Sequence, residues 1–211
     1  MVQPGQVPRR YELVVPQDWW RIPLEDEDRR RRSVRALVRR QFRGVDCDPR
    51  TRRELQEVLD NVADSGQRRG GVELYVSTGL DAGVPLPASL LVSVIRPEEL
   101  GAGGPTTPDE LYMVLRDSAP DVSVVPLDAG RALRRRRELL RRDVRDLGHQ
   151  KPGTELDYFV PVPHSTALLL LSFSTPLGEV SGALVELFDA VAASLHWGAE
   201  PAGRAGSRIR G

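Results

Sequence analysis

The chain has 211 residues and a mass of 23.4 kDa, room for one sizeable domain with its own core. Thirty basic and thirty acidic residues cancel, so neither a polybasic nucleic-acid arm nor an acidic tail is its theme. A single cysteine excludes an internal disulfide framework and a cysteine-rich zinc module, and a hydrophobic share of 40% excludes wholesale disorder.

Residues 1–10 are polar, carry two prolines, and are expected to be flexible. Tyr11–Val15 reads as a short strand running into a Pro16–Gln17–Asp18 turn and then Trp19–Trp20–Arg21–Ile22. Proline presets φ and aspartate favours the hydrogen bonds of a turn. Asp26–Gly44 is predicted as helix: Val34, Leu37, Val38, Gln41/Phe42 and Val45 keep three-four spacing with arginines opposite. The acids from Glu25 to Asp28 sit at the positive end of its dipole. Asp48–Pro49 opens a second helix, with Thr51 and Glu54 as an alternative capping box. Its stripe is Leu55, Val58, Leu59 and Val62, ended by Ser65–Gly66.

The period then changes to two. Val72, Leu74 and Val76 alternate with Glu73, Tyr75 and Ser77, which predicts a half-buried strand. Ser89–Ile95 is apolar on both sides and should be central, joined to the previous strand by the long hairpin connection GLDAGVPLPA. Thr107–Pro108–Asp109–Glu110 opens a short helix with buried Leu111, Val114 and Leu115. Asp121–Leu127 is a strand. Arg131–Arg145 admits two readings, a charged helix or an edge strand followed by a hairpin loop; a strand over 131–138 extends the meander after the Asp128–Ala129–Gly130 turn and is the expectation. Leu156, Tyr158, Val160 and Val162 alternate, and Thr166–Thr175 is a second central strand. Thr175–Pro176 opens a long helix lined by Leu177, Val180, Leu184, Leu187, Phe188, Val191 and Leu195, ended by Trp197–Gly198. The segment 199–211 has nothing to bury and reads as a disordered tail. Turn-joined sequential strands with helix stripes to cover both faces predict an α+β fold, an α/β/α sandwich on a mostly antiparallel sheet of about six to seven strands, in one domain over 11–198.

The chemistry of common active sites is hard to find in this order. The sole lysine, Lys151, lacks the glycine-rich loop of a phosphate-binding motif, and GAGGPTTPDEL lacks G-x-G-x-x-G spacing. Gly178–Glu179–Val180–Ser181–Gly182 is not a nucleophile elbow. His149, His164 and His196 share no motif spacing, and His164 beside Ser165 cannot form a catalytic dyad without strain. Cys47 lies between Asp46 and Asp48, which disfavour a thiolate. No catalytic residue, cofactor or metal site is expected.

The remaining signals are surface-like. Arg29–Arg32 and Arg134–Arg137 are runs that read as a salt-bridged, solvated face, as a dock for an acidic protein, or as a nucleic-acid surface. Zero net charge, few interleaved aromatics and nearby acids argue against nucleic acid. Trp19 and Trp20 are adjacent on a strand, so one ring enters the core while the other faces a covering loop, solvent or a partner. No apolar run marks a secretory signal, and the longest, Ala167–Leu171, is too short to span a bilayer, so the cytoplasm is the expected compartment and no membrane insertion is expected.

The segments YELVVPQDWWRIPL, YFVPVPHSTALLLLSFSTP and LVELFDAVAASLHW resemble the opening, the closing strand pair and the final helix of PsbP-like domains. The resemblance covers about residues 11–198 and extends to the Ran-binding nuclear-import factor, to cytosolic chaperones of secreted effectors and to actinobacterial lipoproteins. It implies that fold, and it implies action by binding other proteins; no catalytic set is carried over, because the matching positions are core residues. The chain departs from the lipoproteins in lacking a signal and lipobox. The expected function is a non-enzymatic protein-binding module, an adaptor or chaperone linked to a secretion or membrane-associated system. Its partner is another protein, acidic or secreted, met through Trp19, Trp20, Arg134, Arg135, Arg136 and Arg137. The alternative is an enzyme or small-ligand protein with a polar pocket between sheet and helices around His164 and Asp157.

Overall fold

Proline, glycine and capping residues divide the chain into strands, most of which fold back on their neighbours. The link from Ser89–Ile95 to Asp121–Leu127 instead carries a short helix across three strands of the sheet, where sequence order predicts turns throughout. In the computed structural model, which describes residues 11–44, 46–81, 84–85, 87–100, 104–117, 121–139, 153–176 and 181–198, a wholly antiparallel seven-stranded sheet is the middle layer. The segments read above as a flexible start, 1–10, and a disordered tail, 199–211, lie outside the described residues, as do His149 and the opening turn of the last helix, 177–180.

The elements run β1 (Tyr11–Glu12), β2 (Trp19–Pro23), α1 (Glu27–Gln41), α2 (Pro49–Arg68), β3 (Gly71–Ser77), a small β4–β5 hairpin (Leu80–Asp81 and Val84–Pro85) and β6 (Ser89–Ile95). A 3₁₀ turn at Pro97–Leu100 precedes α3 (Pro108–Leu115), and β7 (Asp121–Leu127), β8 (Gly130–Leu139), β9 (Gly153–Pro161), β10 (Leu168–Thr175), α4 (Ser181–Ala193) and β11 (His196–Trp197) follow. The sheet order is β2-β3-β6-β10-β9-β8-β7, so the two strands apolar on both faces, β6 and β10, are central. The class is α+β, with helices on both faces.

The caps explain the helix starts. Asp26 accepts from the Arg29 N–H at 2.9 Å, Asp48 from the Arg50 N–H at 2.9 Å, and Thr107 and Glu110 form a reciprocal capping box. α4 covers one face: Phe188 stacks on Phe173 at 4.9 Å between ring centres, and the Trp19 ring meets Phe188 edge-on at 6.3 Å. The opposite face is shared. α1 and α2 bury Val34, Leu37, Leu59 and Ala63 against Ile22, Leu74 and Leu91, while Leu111 of α3 packs on Leu133, Phe159 and Leu168.

Several details differ from the periodicity. Of the predicted strand 11–15 only Tyr11 and Glu12 pair, and their partner is the two-residue β11, so Trp197 belongs to a strand and does not end the helix. His196 Nε2 lies 3.0 Å from Glu12 Oε2 in this small ladder, which ties the two ends of the described chain together. α2 runs past Ser65–Gly66 to Arg68, because Gly66 lets the helix sit close to the sheet; a Cβ there would touch Leu91 Cδ1 at 3.0 Å. Val58 and Val114, predicted to face inward, are exposed, because Leu59, Ala63 and Gly66 set the inward face of α2 and Leu111 that of α3. Tyr75, predicted to face outward, is buried against the α4 layer, because β3 is covered on both sides. The arginine-rich segment is a strand over Gly130–Leu139, paired to β7 and β9. No described helix is long and apolar enough to cross a membrane.

The close seat of α2 on β3 yields a stability test. A methyl group on Gly71 would meet the Gly66 carbonyl oxygen at 2.6 Å and Leu91 Cδ1 at 2.7 Å, and the first of these is backbone that cannot swing aside. Gly71→Ala should cost about 1–3 kcal/mol in urea unfolding, the range of overpacking, while Gly182→Ala, with nothing within 4 Å, should not destabilise.

Candidate functional site

On β9 the period of two sends Leu156, Tyr158 and Val160 into the α4 core and Glu155, Asp157 and Phe159 to the other face. The antiparallel register then fixes their neighbours. Glu155 lies between Ser174 of β10 and Arg137 of β8, Asp157 between Ser172 and Arg135, and Phe159 between Leu170 and Leu133. The result is a band of polar side chains on a covered sheet face, between the α1–α2 core and the α3 core.

Both acids in the band are buried, Glu155 to 2% and Asp157 to 1% exposure. Ser172 Oγ lies 2.7 Å from Asp157 Oδ1 and 3.2 Å from Glu155 Oε1, sharing one proton between them. Arg135 donates to Asp157 Oδ2 through Nη2 at 2.6 Å and Nε at 3.2 Å, and its guanidinium lies over the Phe159 ring at 5.4 Å. Arg137 forms an ion pair with Glu155 and reaches Asp157 at 4.0 Å; Arg69, at the end of α2, stands 3.9 Å from Glu155. Burial, and next the charge of Asp157, push the Glu155 carboxyl above its ordinary range against the opposing pull of Arg137 and Arg69.

The other arginines of the run turn to the α4 face. Arg134 bonds Asp189 of α4 at 2.9 Å and approaches Asp121 of β7 at 3.5 Å, and the Tyr158 hydroxyl donates to Asp189. Burial and the bond to Asp189 raise Tyr158 well above a normal phenol. Arg136 is half-buried and sits opposite Asp121 in the β7–β8 register. A third polar cluster lies near the sheet edge, where the Tyr75 hydroxyl donates to Glu73 Oε2 at 2.7 Å and Arg21 pairs with the same carboxylate.

Trp19 and Trp20 point to opposite faces, as adjacent strand residues must, and both rings are covered by helices. Trp19 is 8% exposed beneath Phe188. Trp20 donates through Nε1 to Ser33 Oγ at 3.0 Å and lies beneath the Arg40 guanidinium at 5.5 Å. His164 occupies an exposed turn with φ 59° between β9 and β10, whereas Asp157 lies four residues before the end of β9, or ~13 Å along the strand. The structure therefore does not bring His164 and Asp157 together. Among the described residues no group of three or more His, Cys, Asp or Glu side chains is arranged to hold a metal ion.

Glu155, Ser172 and Arg69 were not singled out by sequence reasoning. A signal was present: Ser89 and Ser93 on β6, Ser172 and Ser174 on β10, and Glu155 and Asp157 on β9 are polar letters at even spacing in strands otherwise apolar on both sides. Such spacing marks a polar stripe on one covered face.

No family model matches the chain, and no curated protein does. Among solved structures it is similar to LpqN, described as involved in cell envelope biogenesis of Mycobacterium tuberculosis, at 15% identity and a TM-score of 0.43, covering 92% of this chain and 87% of that one. It is also similar to a protein of Bacteroides thetaiotaomicron at 11% identity and a TM-score of 0.37, covering 61% of this chain and 39% of that one. What this chain does is therefore argued from its own geometry.

The acid pair carries two predictions. Asp157→Ala removes the partner of Arg135 and should cost about 3 kcal/mol in urea unfolding, the low end for breaking a buried pair, because Arg135 keeps 20% of its side chain exposed. Folding raises Glu155 above its ordinary 4.5, so the native state holds a proton that the unfolded chain releases. Stability from this group therefore falls as pH rises from that ordinary value through the raised one. Glu155→Gln cannot ionise and should gain on the wild type as the pH climbs from about 4 to about 8; a wild-type-minus-variant difference that stays flat across pH contradicts the shift.

Proposed function

We propose that this chain is a non-enzymatic protein-binding module, an adaptor or chaperone for another protein of a secretion or membrane-associated system. The observation that carries the reading is a row of unpaired charge on its surface. Arg32, Arg35, Arg39 and Arg43, on α1 and the turn after it, are exposed and form no ion pair with any described residue. Meanwhile Arg134, Arg135 and Arg137 are engaged with Asp189, Asp157 and Glu155. The surface available to a partner is thus on the helical layer, and the run of β8 supports the interior. Placement among PsbP-like proteins belongs to the same proposal, supported by the Trp19–Trp20 strand and the β9–β10–α4 closure. The cytoplasm, where an adaptor would meet its client before export, is the compartment this reading assigns.

A second reading, an enzyme or small-ligand protein, draws on one observation: the raised Glu155 beside Asp157 under a shared Ser172 hydroxyl. One experiment separates the two. Photo-crosslinking residues placed one at a time at Arg39, Glu57 and Met113 in the native host should trap a discrete protein on at least one surface. Turnover of a small compound by the purified protein, lost in Glu155→Gln while the fold persists, would instead establish the second reading.

A further inference from the structure

We infer that the α1 arginine row is the docking rail for an acidic α-helical segment of the partner, an inference that rests on the protein-binding reading above. At 3.6 residues per turn, positions 32, 35 and 39 fall within an arc of ~60° and span ~10 Å along the axis, and Arg43 follows in the turn after α1. This row lies opposite the buried face of Val34, Leu37 and Val38, so the guanidiniums stand on the outermost line of the helix. Most neighbouring charges are engaged elsewhere: Asp26 is 3.7 Å from Arg29 and also feels the charge of Arg32, Glu27 pairs with Arg31 at 2.6 Å, and Asp64 of α2 holds Arg30 at 3.0 Å. Asp28, one turn before Arg32, is the exposed acid that lies at the N-terminal end of the row. Arg40 and Arg52 rest on the rings of Trp20 and Phe42 at 5.5 and 5.6 Å.

The width of the row selects its occupant. α2 packs beside α1 and exposes the acids Glu54 and Glu57 next to Arg50 and Arg53. A bilayer or a duplex wide enough to cover both helices would meet this mixed surface, whereas a narrower occupant meets the α1 arginines alone. A single strand of nucleic acid needs open aromatic faces for its bases, and the two rings nearest the row, Trp20 and Phe42, are capped by arginines. A helix is ~10 Å across and sits on one rail. Carboxylates at i, i+4, i+8 and i+11 of such a helix, laid antiparallel, repeat the sequence spacing of the row and meet each guanidinium fork through two oxygens.

The test uses the full chain and a fluorescein-labelled 16-residue alanine-based peptide with glutamates at that spacing, read by anisotropy. Binding should be at least about tenfold tighter than for a peptide of the same composition with its glutamates scattered around the helix, and should weaken about tenfold between 25 and 150 mM salt. The Arg32→Ala, Arg35→Ala, Arg39→Ala, Arg43→Ala combination should lose this binding while its circular dichroism stays that of the wild type, since all four side chains are exposed. Arg50→Ala with Arg53→Ala, on α2, should keep it. Equal affinity for the scattered peptide, or retained binding by the fourfold variant, overturns the inference. Tighter, row-dependent binding to phosphatidylglycerol vesicles or to a single-stranded DNA 20-mer also overturns it, in favour of that partner. A protein trapped only through Glu57 or Met113, with no peptide binding, removes this inference and leaves the protein-binding reading standing.

Discussion

Two carboxylates buried on one strand govern this structure. Glu155 and Asp157 lie inside a sandwich whose other interior positions are mostly apolar, and a charge taken out of water must be met by an opposite charge or be given up. The chain meets them from the neighbouring strand. With β8 antiparallel to β9, Arg135 and Arg137 stand directly opposite Asp157 and Glu155, and Ser172 approaches both acids from the other side. A well-packed apolar pair in their place would hold the layers at least as firmly, so net stability does not account for the arrangement. The four consecutive arginines do not fix the register by themselves, since a slip of one residue between β8 and β9 would bring Arg134 and Arg136 to the acids. Such a slip would instead take Leu133 off Phe159 and Arg134 off Asp189, so the apolar and α4 contacts hold the register in which Arg135 and Arg137 meet the acids.

The same constraint explains why the arginine run is a strand. On a helix, four consecutive residues fan out over most of the circumference, and no more than two could face one wall. On a strand they separate into two pairs. Arg134 and Arg136 go to the α4 side, where Asp189 and Asp121 wait, and Arg135 and Arg137 go to the acid band. The strand geometry lets identical neighbours serve two interior surfaces.

The architecture was legible because its signals are local: apolar runs on β6 and β10, alternation on β3 and β9, three-four spacing on α1, and caps at Asp48 and Thr107. Where identical neighbours hide the period, context had to serve. Four consecutive arginines have no hydrophobic alternation, and the strand there was legible only from the Asp128–Gly130 turn and the meander it extends. The acids it meets across the register were not legible. Tyr75 failed because an alternating pattern cannot report a second covering layer above the sheet, and Val58 because the inward face of α2 is centred on Leu59, Ala63 and Gly66. The acid band was hidden because the alternation on β9 made Glu155 and Asp157 look like solvent positions, and the serines of the apolar strands β6 and β10 drew no notice beside their neighbours.

The edges of the sheet bear on where a partner can act. An edge strand offers unpaired backbone groups to any extended segment, and such pairing is a common way for β proteins to bind. Here both edges are blunted. β7 carries Pro126, which has no N–H to donate, and β2 is five residues long and ends at Pro23. With both sheet faces covered by helices and both edges interrupted by proline, strand addition is the least favoured mode of recognition. Recognition is left to the outer faces of the helices, and there a net charge of zero misleads. The arginines opposite the buried acids are held by them and those that stack on Trp20 and Phe42 are fixed in place, while exposed arginines with no ion pair among the described residues lie on α1 and its closing turn (Arg32, Arg35, Arg39, Arg43) and on α2 (Arg50, Arg53, Arg68). The distribution of charge, rather than its sum, is what makes α1 distinctive.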